Sequence, residues 1–190
     1  MKPGSAFFLL SLILAGQTPA WCQLAKPAAI APTNLTVSKA ARIPSQTISG
    51  LEKGFNQLLT EMAPDPNEAV ELLGDTRGVQ LEDYGVVFTT EVSLTTAPGT
   101  SPFRQTIPPE MAAHVRKVRL ERMPMLKIAM TQMMRNMATT FNQIPSSQQL
   151  VLVVRLYYAP WENTSGMPAQ VIMKADRASA AAGRVLTEER

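Results

Sequence analysis

The chain has 190 residues, 45% of them hydrophobic and 17% charged, the balance of an ordinary globular protein with room for one domain and a short appended segment. Eighteen Lys and Arg against fifteen Asp and Glu leave a formal charge of +3, too slight for the basic surface that nucleic acid requires. One cysteine, Cys22, and one histidine, His114, exclude an intramolecular disulfide and an all-protein zinc site, which takes several Cys and His ligands.

Residues 1–22 read as a secretory signal: Lys2 is the basic start, Ala6 to Ala15 an apolar run, and Thr18-Pro19-Ala20 a small-residue exit. The run is shorter than the about 20 apolar residues that span a bilayer, so no transmembrane segment is expected once the signal is removed. Cleavage after Cys22 would leave a chain without cysteine, and Trp21 sits where a lipoprotein signal carries a small residue. Residues 23–45 are rich in Ala, Pro, Ser and Thr without apolar periodicity, a flexible leader. A single domain is expected over 46–182, with 183–190 as a C-terminal tail.

Within that domain, Ile48, Leu51, Phe55, Leu58, Leu59 and Met62 recur at helical spacing, with Thr47 or Ser49 as the cap. A short helix is expected over 67–73, closed by Gly74. From Val86 to Leu94 the residues alternate as a strand with one buried face, and Val79 and Leu81 either pair with it as a short strand or continue it through a bulge at Gly85.

Pro108 to Ile144 holds the chain's longest pattern. Met111, Val115, Val118, Leu126, Ala129, Met130, Met133, Met137 and Phe141 form an apolar stripe, started by Thr106 as cap and Glu110 near the positive helix end, with a kink or break expected at Pro124. Gln149 to Tyr158 is apolar on both faces and reads as a central strand; Gln170 to Ala175 is its partner, followed by a short helix or fraying tail. The expected fold is therefore α+β: a small mixed or parallel-containing sheet of three or four strands, covered on one face by a long, Pro-kinked helix. The strand-helix-strand order favours parallel pairing of the two main strands.

No phosphate loop, dinucleotide turn or nucleophile elbow is present, and no cofactor or resident metal is expected. Three chemistries remain. Glu82, Asp83 and Glu91 supply carboxylates around the first main strand, as an exported hydrolase would need, although extended geometry holds Glu91 well away from the other two. Met123, Met125, Met130, Met133, Met134 and Met137 place soft thioethers along one helix, a Cu(I) donor set outside the cytoplasm or simply a flexible core stripe. Arg116, Lys117, Arg119 and Arg122 make a basic stretch that docks an anionic surface or lines a solvated helix face, and Tyr157, Tyr158 and Trp161 cluster beside a loop as a recognition patch or a core rim. Arg155 and Glu91 are a candidate cross-strand pair.

The function expected is that of an exported, non-enzymatic protein of the cell envelope or extracellular space, periplasmic or secreted, that works through protein–protein assembly. The binding candidates are Arg116, Lys117, Arg119, Arg122, Tyr157, Tyr158 and Trp161. The partners expected are a second copy through the long helix, an envelope protein or an anionic surface, and no nucleic acid.

Overall fold

The computed structural model describes residues 42–63, 68–99 and 106–190. The signal, nearly all of the leader and the proline-rich break at 64–67 lie outside the described residues, as does much of the loop before the long helix. The elements run α1 (Ser45–Glu61), β1 (Glu71–Leu81), β2 (Gly85–Ser93), α2 (Pro109–Thr140), β3 (Gln149–Leu156), β4 (Gln170–Asp176), α3 (Arg177–Ala181) and β5 (Leu186–Glu189). This is an α+β fold with one mixed sheet in the order β1-β2-β3-β4-β5.

The hairpin β1–β2 is antiparallel, β2 and β3 are parallel with Glu91 opposite Arg155, and β3–β4 and β4–β5 are antiparallel. The parallel pair is the two main strands joined through α2, because a helix long enough to return the chain to the same end permits no hairpin. Gly85 lets this pair begin. Its φ is +141°, and a Cβ there would meet the Gln149 carbonyl oxygen at 1.9 Å, so only glycine admits the close approach of the two strand starts. The turn before it, Glu82-Asp83-Tyr84, puts Asp83 at φ 58°, a left-handed position that aspartate tolerates.

One sheet face carries the core. Val86, Phe88 and Val92 of β2, Leu150, Leu152, Val154 and Leu156 of β3, and Val171, Met173 and Ala175 of β4 pack in one cluster with Phe55 and Leu59 of α1 and Leu126, Met130, Met133, Met134 and Met137 of α2. Phe88 and Phe141 stack at 6.2 Å between ring centroids. The unbranched methionines fill the irregular space between a helix and a twisted sheet.

Several expectations change. The sheet has five strands rather than three or four, because the expected tail at 183–190 supplies β5. Its charged side chains hid the pattern, and its position is set by tertiary pairing: Val171 opposite Glu189 and Lys174 opposite Leu186. There is no helix closed by Gly74; β1 starts at Glu71 and runs eleven residues through Gly74 with register shifts on both sides of it. Helix α2 continues through Pro124. Pro124 is exposed, so the Leu120 carbonyl that loses its amide partner lies on the solvent side, where water replaces it. Pro108 rather than Thr106 holds the cap position, without a side-chain bond.

The two sheet edges are closed in different ways. Along the outer edge of β1, Asn56 Oδ1 of α1 accepts from the Thr76 amide at 3.1 Å and Glu52 Oε1 from the Gly78 amide at 2.8 Å. Gln80 reaches back to accept from the Ile43 amide at 2.8 Å. At the other edge β5 is four residues long and ends in two glutamates. Short, charged or covered edges are how sheets avoid adding foreign strands.

Candidate functional site

Every third residue from Arg116 along the first half of α2 is an arginine: Arg116, Arg119 and Arg122. Spacing of three and four places neighbours on one helix face, and here that face looks onto the loops that follow β2 and β3. Arg119 is 0% exposed. Its Nε lies 2.5 Å from Glu162 Oε2, and its Nη2 donates to Glu162 Oε1 at 2.8 Å and to Ser93 Oγ at 3.2 Å. Nη1 donates to the Tyr157 carbonyl at 3.1 Å, and the Tyr158 ring centroid lies 5.1 Å from the guanidinium carbon. A carboxylate held by one hydrogen bond and a close second contact, a carbonyl, a hydroxyl and an aromatic face surround the buried guanidinium, an arrangement of several directed donors that lysine cannot reproduce.

The neighbours repeat the pattern. Arg122 donates to the Glu68 and Leu94 carbonyls, the latter at 2.6 Å, and its Nη2 is 3.4 Å from Glu68 Oε2. Arg116 donates to the carbonyls of Asn163 at 2.5 Å and Ser165 at 2.8 Å. His114 Nε2 and Glu68 Oε1 are 2.9 Å apart. Tyr158 donates its hydroxyl to the Pro168 carbonyl at 2.8 Å, and burial pushes this phenol above its ordinary range, with Arg119 opposing and Glu162 adding to the shift.

The structure thus brings Arg119, Tyr157 and Tyr158 together, and sets Arg116 and Arg122 against the flanking segments. Trp161 is half-buried in the same loop, whereas Lys117 is exposed and 3.9 Å from Glu121. Glu162, Ser93 and Glu68 complete the group; Glu162 and Glu68 sit outside the α-helices and strands, where periodicity gives no warning, and Ser93 is the last residue of β2. The arginine triplet was legible as a pattern, but its charge suggested solvent. Chemically, Arg119 and Arg122 are spent on internal acceptors; they fasten Glu68, the chain at 93–94, and Tyr157 and Glu162 to α2.

The other candidate chemistries are placed as follows. Glu82 and Asp83 lie in the β1–β2 turn, and Glu91 lies toward the far end of β2, 4.0 Å from Arg155. Met123, Met130, Met133, Met134 and Met137 are buried in the core, and Met125 is half-exposed on the outer helix surface. Among the described residues no three His, Cys, Asp or Glu side chains gather to hold a metal ion, and no helix is long and apolar enough to cross a membrane.

The second sheet face is a different kind of surface. Pairing places Val79, Val87, Val151, Lys174 and Leu186 in one transverse row and Arg77, Thr89, Val153, Ile172 and Glu188 in the next. None of these apolar side chains belongs to the core cluster or packs against it. Val79 is 54% and Leu186 60% exposed, Val87, Val153 and Ile172 are half-buried, and Val151 is shielded between its neighbours. The outer surface of α2 offers a narrower apolar strip, Leu120, Met125 and Ile128, beside a groove of about 340 Å³ between α1 and α2.

Fold and site together define a two-layer α+β domain with helices on one sheet face and an apolar second face over which none of the described elements packs. The chain matches no family model, no curated protein and no solved structure.

Proposed function

We propose that the protein is an exported, non-enzymatic component of the cell envelope or extracellular space that works by protein–protein assembly. The observation that carries this reading is the second sheet face: two adjacent rows with six apolar side chains, Val79, Val87, Val151, Val153, Ile172 and Leu186, over which no described element packs. Apolar surface gathered in one patch is stabilised by leaving water, and on a native surface such a patch marks a contact. Export draws its support from the signal pattern of residues 1–22.

A dimer through the long helix is supported by Leu120, Met125 and Ile128, and α2 at 32 residues is about 48 Å long, enough to outreach the strands. That strip is narrower than the sheet face and interrupted by Pro124. Lys117 and Tyr157 are the exposed members of the basic and aromatic candidates, and would meet an anionic partner at the other end of α2.

The test is a cross-linked pull-down of the protein from the exported fraction of its own cells, with native size recorded in the same run. A defined complex or self-assembly that Val153→Glu abolishes is the expected result. A lone monomer with no cross-linked product, or a protein confined to the cytoplasm, overturns the reading.

A further inference from the structure

The second sheet face has an order in its charges that goes beyond its apolarity. In the row centred on Val153, the β1 end is Arg77 and the β5 end is Glu188. The adjoining row runs from Gly74 and its neighbour Asp75 through Glu91, Arg155 and Gln170 to Arg190, whose amide and carbonyl pair with Gln170. Each of these two rows therefore carries opposite signs at its two ends, and the sign order reverses between them; within one copy Arg77 lies 3.7 Å from Asp75, which also accepts from Asn56, and Arg190 lies 2.7 Å from Glu188, so each edge is an exposed ion pair that a second copy meets in the opposite order. Down the middle, β3 presents Val151 and Val153 to this face.

Such a pattern is self-complementary. A twofold axis laid along β3, between two copies facing each other, brings β1 of one over β5 of the other and keeps every row at its own height. Arg77 then faces Glu188 of the second copy, Asp75 faces its Arg190, Val79 faces its Leu186, and Val153 meets Val153 at the axis. Arg155 also meets its own counterpart, but Glu91 lies beside each at 4.0 Å and offsets the like charge. Lys174 covers Val87 of the other copy with its aliphatic stem while its ammonium reaches water.

We infer that this face takes a second copy of the same chain, packed face to face about an axis along β3. The inference rests on the assembly reading above and names its partner. Sheets packed in this way sit about 10 Å apart with strands within about 30° of each other, the arrangement that long side chains at the rim can bridge. Five strands at about 4.8 Å and eight residues at about 3.3 Å give about 600 Å² per copy and about 1,200 Å² in all, the lower end of a specific interface. Edge-to-edge pairing is closed to both copies, by α1 along β1 and by the short acidic β5. Among the described residues this face is the broad apolar surface left.

The experiment is sedimentation equilibrium of the purified full chain over the micromolar range, with thermal melting as a fold control. A dimer is expected. Val153→Glu, which sets two carboxylates at the axis, is expected to abolish it. Arg77→Glu and Glu188→Arg, both at exposed positions, each weaken it at least about tenfold through like-charge juxtaposition, and the double variant regains most of the loss because the pair is restored with its signs exchanged. A monomer throughout overturns the inference. If that monomer still captures another protein, and Val153→Glu abolishes the capture, the assembly reading survives; if it captures none, both fail. A dimer indifferent to Val153→Glu and dissociated by Ile128→Glu moves the contact to α2 and overturns the sheet-face inference alone. A dimer lost in both charge variants with no recovery in the double overturns the proposed orientation.

Discussion

Removing the Glu162 carboxylate strands the Arg119 guanidinium in a site with no exposure. Breaking one partner of a buried pair costs about 3–5 kcal/mol, because an uncompensated charge remains inside. Glu162→Ala is therefore expected to lose about that much in urea unfolding. Arg119→Met combined with Glu162→Ala is expected to lose clearly less than the sum of the single losses, a coupling that the double-mutant cycle measures directly. Two titrations act on stability at opposite ends of the pH scale. Tyr158 is raised chiefly by burial, so its contribution is complete below the ordinary phenol range, near about 10, and is lost as pH rises through the raised value. Asp176 is lowered chiefly by the Ser179 amide that it accepts from at the start of α3; its contribution is present above the ordinary aspartate range, near about 4, and is lost as pH falls through the lowered value. The melting-temperature gap between the native chain and Asp176→Ala is expected to close in strong acid, and that for Tyr158→Phe to close or invert in strong alkali.

At the scale of elements, three features are open to direct test. Pro124→Ala restores an amide on the solvent side of α2 facing the Leu120 carbonyl, and is expected to stabilise the chain by about 1–3 kcal/mol. The measurement is a shift of the urea midpoint at constant slope. Gly85→Ala should do the reverse: its Cβ collides with the Gln149 carbonyl at the start of the parallel pair, and a loss of at least about 2 kcal/mol is expected. Deleting 184–190 removes β5 with its Lys127–Glu189 pair at 2.6 Å and its ladder to β4. That leaves the seven-residue β4 as a bare edge, so the truncated chain is expected to aggregate at concentrations where the full chain stays dispersed, as light scattering would report.

For the whole molecule, one layer of helices stabilises one sheet face, and the opposite face is left apolar and open among the described residues. The proposed face-to-face dimer has an apolar centre and a charged rim, so added salt is expected to weaken it without abolishing it. Raising salt from about 0.05 M to about 0.5 M shortens the screening length several-fold and attenuates the Arg77–Glu188 and Asp75–Arg190 attractions, while the valines keep theirs. Dissociation constants at the two salts should differ for the native chain and differ clearly less when Arg77 and Glu188 are both alanine, the Asp75–Arg190 attraction supplying what remains.

What local pattern alone could determine, the chain determined. Alternation marked β2, β3 and β4, the 3.6-residue stripe marked α1 and α2, and the strand-helix-strand order implied the parallel pair, because periodicity and connection length are local properties of a chain. One strand, β5, escaped, and β1 was anticipated only at its Val79–Leu81 end. β5 is a tetrapeptide with two glutamates, and β1 contains two glycines and an aspartate; each is a strand only because a neighbouring strand supplies its ladder. The same limit governs the site. Arg116, Arg119 and Arg122 were visible as part of a basic stretch, yet only the fold brings Glu162 from 43 residues away to Arg119 and turns a charge that belongs in water into a buried clamp. The alternation in β3 could show that both its faces were apolar; which of them would be covered was decided by where α1 and α2 pack, and that is a property of the assembled layers rather than of any segment.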